Sequence, residues 1–181
     1  MINDMSQRIV PKTFYGSAPD ESKVPVPDPR DVETIDGIIT ASYETISGAA
    51  GKPREWERMR SLFLPESRQI RTGNLDDNGR NSYKLMSAAD FIELTNDWLV
   101  ENGFFETEIH RVVDQFGSIA QVFSTYESRK NADDPAPYLR GINTFQLFHD
   151  GRRWWIVNIM WRHESPDLPI PAKYLPMERR L

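Results

Sequence analysis

The residues of this chain that could move protons include a histidine and a carboxylate in one β-prone segment, His110 and Asp114. Strict strand alternation places both on one face with Glu108 and Val112. About 13 Å of strand separates His110 from Asp114, so the two cannot form a direct dyad. Either could act alone as a general base, histidine through its ordinary pKa and aspartate if burial raises its pKa. Alternatively, His110 is a hydrogen-bonded sheet residue and Asp114 a surface residue.

Tyrosine hydroxyls form a second group of candidates. Tyr126 shares a strand face with Ser124 and Ser128, and Tyr43 lies beside the apolar stripe of a predicted helix. In an apolar pocket, a tyrosine hydroxyl can donate a hydrogen bond to a bound carbonyl or a developing enolate. The same tyrosines could instead be core aromatic residues, each with its hydroxyl satisfied by the protein.

Amides and tryptophans are further candidates for contacts with a ligand. Asn143 and Asn158 fall in the middle of the two strands of a hairpin predicted over residues 140–164. A buried amide needs partners, which would come from a neighbouring strand or from a ligand. Trp98 lies on a predicted helix, where it could line a cavity or a subunit contact, or pack in the core.

Several kinds of chemistry are disfavoured by the composition. The chain has no cysteine, and its three histidines lack the spacing of a metal site, so we expect no metal. It contains no phosphate-binding loop and no dinucleotide fingerprint, so we expect no cofactor. A net charge of -5 argues against nucleic acid and anionic membranes as partners. We expect a cytoplasmic protein, with a trimmed secreted or periplasmic form as the alternative.

The apolar spacing predicts three helices followed mainly by strands. The helices are predicted from Asp31 or Thr34 to Gly48, from Pro53 to Pro65, and from Ser87 to Asn102. A short hairpin is predicted over 67–72 and 82–86, and longer antiparallel strands over 105–116, 119–130 and the two arms of 140–164.

The chain of 181 residues is expected to form one domain with two proline-rich ends. Residues 1–30 are predicted to be an extended or disordered arm, or an arm that wraps a partner subunit. The domain is predicted over residues 31–164, and residues 165–181 are expected to run as an extended tail.

The last predicted strand is apolar on both faces. Alternation places Trp154, Ile156 and Met160 on one face, and Trp155, Val157, Ile159 and Trp161 on the other. Both faces then need cover. Helices would cover one face and a second copy of the chain the other, which predicts a homodimer.

This layout, the Trp56 to Pro65 segment and the Gly141 to Trp161 hairpin with its Asp-Gly turn resemble the NTF2-like (SnoaL-like, cystatin-like) superfamily. The resemblance covers residues 31–164. It implies an α+β fold in which three N-terminal helices pack on a curved, mainly antiparallel sheet and enclose a conical pocket. The convex face would meet a second subunit. The superfamily includes isomerases, dehydratases, cyclases, epoxide hydrolases and transport factors, so the fold does not name an activity.

The resemblance implies a pocket that holds a small hydrophobic molecule. The expected contacts with this molecule are Tyr43, Trp98, Ser124, Asn143 and Asn158. The alternative is a cofactor-independent lyase, isomerase or hydrolase acting in the same pocket, with His110 or Asp114 as the base and Tyr43 or Tyr126 as the donor. A structural dimerisation module with a filled cavity is a third hypothesis. The function depends on whether Asn158, rather than Val157 and Ile159, faces the cavity.

Overall fold

The computed structural model describes residues 16–177; the outer parts of the predicted arm and tail, 1–15 and 178–181, lie outside the described residues. The helices are α1 (Pro29–Val32), α2 (Ile35–Ile46), α3 (Trp56–Leu62) and α4 (Ala88–Asn102). The strands are β1 (Phe63–Leu75), β2 (Asn81–Met86), β3 (Phe105–Phe116), β4 (Ile119–Arg129), β5 (Leu139–His149) and β6 (Trp154–His163). Within residues 16–177, no helix is both long and apolar enough to cross a membrane.

Local capping groups define where the two longest helices begin. The Thr34 hydroxyl accepts a hydrogen bond from the backbone of Gly37 at 2.9 Å and caps α2, so Thr34 rather than Asp31 begins this helix. At α4, Ser87 and Asp90 form the reciprocal capping box that the sequence predicts. These caps satisfy backbone N–H groups that have no partner within their own helix.

Helix α3 is shorter than predicted at its beginning. Arg54, two residues before this helix, is buried, and its guanidinium donates to the carbonyls of Ile46, Gly48 and Leu99. One side chain thus joins the end of α2 to the end of α4. Because Arg54 reaches back to these carbonyls, the segment that follows Pro53 stays outside the helix.

Pro65 does not end α3 in a loop, as the sequence suggested, but lies within β1. The pairing of β1 with β6 shifts between Phe63 and Arg68, and its pairing with β2 begins at Gln69. A proline cannot donate to a strand ladder, so it is tolerated where the ladder is interrupted.

The six strands form one sheet in the order β2-β1-β6-β5-β4-β3. All neighbouring strands are antiparallel except β1 and β6, which are parallel. Helices α2 and α3 pack on the inner face of the sheet, where the largest fully buried side chains include Ile38, Ile39, Met59, Leu62 and Phe145. The predicted α+β fold is confirmed, with β1 joining the sheet in parallel orientation.

The side-chain alternation of β6 is broken at Val157. Gln146 of β5 pairs with Asn158, but the next residue, Leu147, pairs with Ile156. Val157 is therefore the extra residue of a β-bulge. An extra residue in one strand reverses the face on which later side chains project.

The bulge unites side chains that strict alternation would separate. Ile159 pairs with Phe145 and Ile156 pairs with Leu147, and these four side chains all contribute to the same core. The inner face of β6 accordingly carries Trp154, Ile156, Ile159, Trp161 and His163. The prediction that Met160 shares a face with Trp154 is wrong, because the prediction assumed an uninterrupted strand.

The same chain covers part of the outer face of the sheet. Trp155 is fully buried, and its indole N–H donates to Asp150 at 2.7 Å. Tyr174 of the C-terminal segment packs on Phe123 with ring centroids 4.5 Å apart, and its carbonyl accepts from Thr125 at 2.6 Å. The tail therefore supplies some of the cover that the sequence analysis assigned to a second subunit. Homodimerisation through the rest of this face stays a prediction.

We expect Gly141→Ala to destabilise the protein because this strand position has no room for a methyl group. A Cβ at Gly141 would lie 2.6 Å from the Arg162 carbonyl oxygen and would also meet the Tyr126 hydroxyl. Relieving this overlap should cost about 2 kcal/mol of unfolding free energy, measured by urea denaturation. Gly73→Ala is the matched control, since its Cβ would lie 3.5 Å from its nearest neighbour. Equal stability of the two variants would contradict the prediction.

Candidate functional site

A cavity of about 480 Å³ lies between the inner face of the sheet and helices α2 and α4. Aromatic and aliphatic side chains make up most of its wall, among them Ile46, Met59, Phe63, Phe91, Leu99, Phe104, Phe145, Ile159 and Trp161. Leu94, Trp98 and Tyr138 also line it and are about half exposed, which places them at the mouth. A cavity of this size and lining is typical of a small-molecule site.

Glu106, near the start of β3, places a carboxyl group in this apolar wall. The Ser128 hydroxyl donates to one of its oxygens at 3.2 Å, and the Asn143 amide donates to the other at 3.4 Å. Burial raises the pKa of Glu106 from 4.5 to about 7, although both hydrogen bonds act in the opposite direction. This carboxyl can therefore gain or lose a proton near neutral pH, as a general acid or base must.

A chain of hydrogen bonds leads from Asn143 into the protein. The Asn143 amide also donates to the Tyr43 hydroxyl at 3.1 Å, and this hydroxyl lies 2.6 Å from that of Ser124. Ser124 in turn donates to the Glu108 carboxyl group. Since Ser124 donates to Glu108 and Tyr43 accepts from Asn143, Tyr43 donates to Ser124. Burial, and then the charge of Glu106, raises the pKa of Tyr43, which keeps its hydroxyl protonated.

The series of hydrogen bonds that begins at Asn143 ends at an ion pair. Arg111 donates to both carboxyl oxygens of Glu108, with its Nε at 2.9 and 3.0 Å, and it also pairs with Asp36 of α2. Bidentate pairs of this type fix the orientation of both side chains. The orientation of Asn143 against Glu106 is thus set by a series of contacts that ends at Arg111.

A second polar region of the cavity contains Gln69, Arg71, Tyr126 and His163. Gln69 is only 3% exposed, yet its amide nitrogen has no hydrogen-bond partner among the described residues. The Tyr126 hydroxyl likewise makes no hydrogen bond within residues 16–177, and burial raises its pKa. Burial, and then the charges of Arg71 and Arg162, lower the pKa of His163, so this histidine is neutral at pH 7.

No protein-family model matches the chain, and no curated protein resembles it in sequence. Solved structures resemble it in fold. An NTF2-like protein of unknown function from Shewanella baltica OS155 has a TM-score of 0.46 and 13% identity, covering 72% of this chain and 91% of its own. A cystatin-like fold protein of unknown function from Nostoc punctiforme PCC 73102 has a TM-score of 0.54 and 11% identity, covering 75% and 91%. An uncharacterised cystatin-like fold protein from Caulobacter vibrioides has a TM-score of 0.51 and 13% identity, covering 74% and 89%.

The chain has the NTF2-like (cystatin-like) fold. The resemblance seen in the sequence is confirmed at this level. At identities of 11 to 13%, the likeness concerns the fold alone. A shared fold does not fix an activity, so the residues of the cavity decide what this protein can do.

The NTF2-like fold brings four of the predicted site residues to the cavity wall, namely Tyr43, Trp98, Tyr126 and Asn143. Ser124 lies one step behind the wall, where it contacts Tyr43. Its side chain orients a residue of the cavity rather than lining the cavity itself.

His110 and Asp114 lie on the outer face of the sheet, away from the cavity. A second bulge, at Ile109, causes this placement: Glu108 pairs with Tyr126, whereas His110 pairs with Thr125. Glu108 therefore faces inward and His110 outward. The prediction that His110 and Asp114 share the face of Glu108 is wrong, and their proposed role as a base in the pocket is withdrawn.

Asn158 also faces outward, since it follows the bulge at Val157 and pairs with Gln146. The question posed by the sequence is thereby answered: Ile159 rather than Asn158 faces the cavity. The expectation that Asn158 contacts a ligand in this pocket is corrected for the same reason.

Sequence reasoning missed the polar cavity residues Glu106, Gln69, Arg71 and His163. Glu106 could have been found from the sequence, because it lies two residues before Glu108 in a β-prone segment and therefore shares its face. Gln69 and Arg71 also alternate, in the short strand predicted over 67–72, but polar alternation there equally fits an exposed hairpin. Within residues 16–177, no cluster of three or more His, Asp or Glu side chains could hold a metal ion.

Glu106 should make the protein less stable as pH rises. Its pKa is about 7 in the folded state and 4.5 unfolded, so the folded state binds more protons between these values. The unfolding free energy should therefore fall by on the order of 3 kcal/mol from pH 5 to pH 8. Glu106→Gln should remove this fall in urea unfolding. Glu93→Gln on exposed α4 controls for the lost charge, and identical pH profiles of the two variants would contradict the assignment.

Proposed function

We propose that the protein binds a small, largely apolar molecule in the cavity between the inner sheet face, α2 and α4. The observation that carries this proposal is a cavity of about 480 Å³ whose wall is mostly aromatic and aliphatic. Protein interiors are normally packed without voids larger than a water molecule, and empty apolar volume is destabilising. A cavity of this size is therefore better explained by an occupant than by the packing of a structural module.

The exposed aromatic residues at the mouth support the same proposal. Trp98 on α4 is 47% exposed, and Tyr138, the residue before β5, is equally exposed. Large apolar side chains next to an opening favour the entry of an apolar molecule. Leu99 is the only buried residue of helix α4, so this helix covers the cavity without filling it.

A second candidate function is proton transfer to or from the bound molecule, as in a cofactor-independent isomerase, lyase or hydrolase. The observation that favours it is Glu106, a carboxyl in the cavity wall whose pKa is about 7. In this hypothesis Glu106 takes or gives the proton. The Asn143 amide orients the carboxyl at 3.4 Å, and the Tyr126 hydroxyl, which has no hydrogen-bond partner among residues 16–177, is a donor for a developing oxyanion.

The binding proposal is tested with N-phenyl-1-naphthylamine, an uncharged dye that fluoresces in apolar surroundings. The wild-type protein should bind it with saturable enhancement. Thr95→Trp should weaken binding by roughly tenfold, because Thr95 lines the cavity on α4 and the larger ring would occupy dye volume. Glu93→Trp adds the same ring to the exposed face of α4 and should bind like wild type. Absence of saturable binding, or equal binding by both variants, would overturn the proposal.

The proton-transfer hypothesis is tested with 5-nitrobenzisoxazole, a small aromatic compound that opens when a base removes its C3 proton. The rate should rise through pH 7 as Glu106 ionises, because the carboxylate is the base. Glu106→Gln should lower kcat/KM by about a hundredfold. Glu93→Gln serves as the control, and circular dichroism verifies that both variants are folded. A Glu106→Gln rate equal to that of the control would exclude Glu106 as a base.

A further inference from the structure

Two cations lie opposite each other on neighbouring strands, and one of them, Arg71, lines the cavity. Arg71 of β1 and Lys84 of β2 are directly opposite partners in an antiparallel pair, so their side chains project from the same face of the sheet. Like charges in this position destabilise a sheet. Neither side chain forms an ion pair with any carboxylate in the described part of the chain, in which the charges of Arg30, Arg58 and Arg111 are all paired.

Arg71 belongs to the cavity wall. Its partner on the other side, Trp161 of β6, also lines the cavity, as does His163. Arg71 is sufficiently close to Tyr126 and His163 to act on both electrostatically. Arg71 is exposed and also lines the cavity, so it lies where the cavity meets solvent.

Gln69 provides an independent observation on the same strand. It lies two residues before Arg71, so both side chains project from one face, and it pairs with Ile159 of the cavity wall. Its amide nitrogen is buried without a partner among the described residues, in a side chain that is 3% exposed. An unpaired buried donor is destabilising unless something else accepts its hydrogen bond.

We propose that Arg71 and Gln69, with Lys84 beside them, form a subsite for the carboxylate of an otherwise apolar ligand. The inference rests on the proposed binding function and specifies the class of ligand. A carboxylate accepts two parallel hydrogen bonds from a guanidinium and has lone pairs left for the Gln69 amide. Its charge would offset the repulsion between Arg71 and Lys84.

The remaining groups near this subsite favour the same ligand class. The Tyr126 hydroxyl is a donor with no partner in the described part of the chain, and neutral His163 adds no charge of its own. A cationic ligand would meet the positive charge of Arg71 in the cavity wall, with that of Lys84 on the neighbouring strand, and a wholly apolar ligand would leave the Gln69 donor unsatisfied. The apolar wall accommodates the body of the ligand, so the inferred ligand is an aromatic or alicyclic carboxylic acid.

The test is displacement of N-phenyl-1-naphthylamine by 2-naphthoate and by its uncharged analogue 2-naphthamide. Wild-type protein should bind the carboxylate about tenfold more tightly than the amide, the effect of one charged hydrogen-bonded contact. Arg71→Met should remove this preference. Arg68→Met is the matched control: it removes the same charge from the same strand, but Arg68 pairs with outward-facing Asn158 and should retain the preference.

The Gln69→Leu variant distinguishes a loss of ligand affinity from a loss of protein stability. Replacing an unpaired buried amide by an apolar side chain of similar size should leave thermal stability unchanged or higher, while 2-naphthoate affinity falls several-fold. Dye binding should persist. If the dye binds but wild type does not prefer 2-naphthoate, or if Arg71→Met and Arg68→Met behave alike, the subsite is overturned and the binding function stands. If the dye itself does not bind, the binding function fails and the subsite fails with it.

Discussion

The inner face of this sheet depends on two positions in the strand ladder that have no partner, Ile109 in β3 and Val157 in β6. Side chains alternate strictly along a strand, so one extra residue moves all later side chains to the other face. Without the bulge at Val157, Ile156 and Ile159 could not both reach the core. The bulge therefore lets β6 place Ile156 in the core under α3 and Ile159 in the cavity wall, although these residues are an odd number of positions apart.

The bulge at Ile109 has an electrostatic consequence. Glu108 and Arg111 are three residues apart and would lie on opposite faces of a regular strand. With Ile109 as the extra residue, Glu108 pairs with Tyr126 and Arg111 pairs with Ser124, both inward. The ion pair that results is the fixed end of the hydrogen-bond series through Ser124, Tyr43 and Asn143. An irregularity in the backbone thus determines how an amide is presented to Glu106.

The sequence was sufficient to predict the main helices and strands. It was not sufficient to predict on which face of the sheet the side chains of each strand project. Signals that act within a few residues, such as the Ser87 capping box and the turn at Gly151, predicted α4 and the last hairpin well. A bulge is decided by the pairing of distant strands, and nothing local in an apolar run such as Ile156 to Met160 marks the extra residue. That is why His110 and Asn158 were assigned to the pocket, while Ile159 and Trp161 line it instead.

The two polar regions of the cavity are not independent in their electrostatics. An anion brought into the apolar cavity disfavours ionisation of a carboxyl that shares the cavity, so a bound carboxylate would raise the pKa of Glu106 further. By linkage, an ionised Glu106 would weaken carboxylate binding by the same free energy. In the presence of an acidic ligand Glu106 would therefore be protonated at neutral pH and suited to donate a proton. With an uncharged ligand it would titrate near pH 7 and could serve as the base.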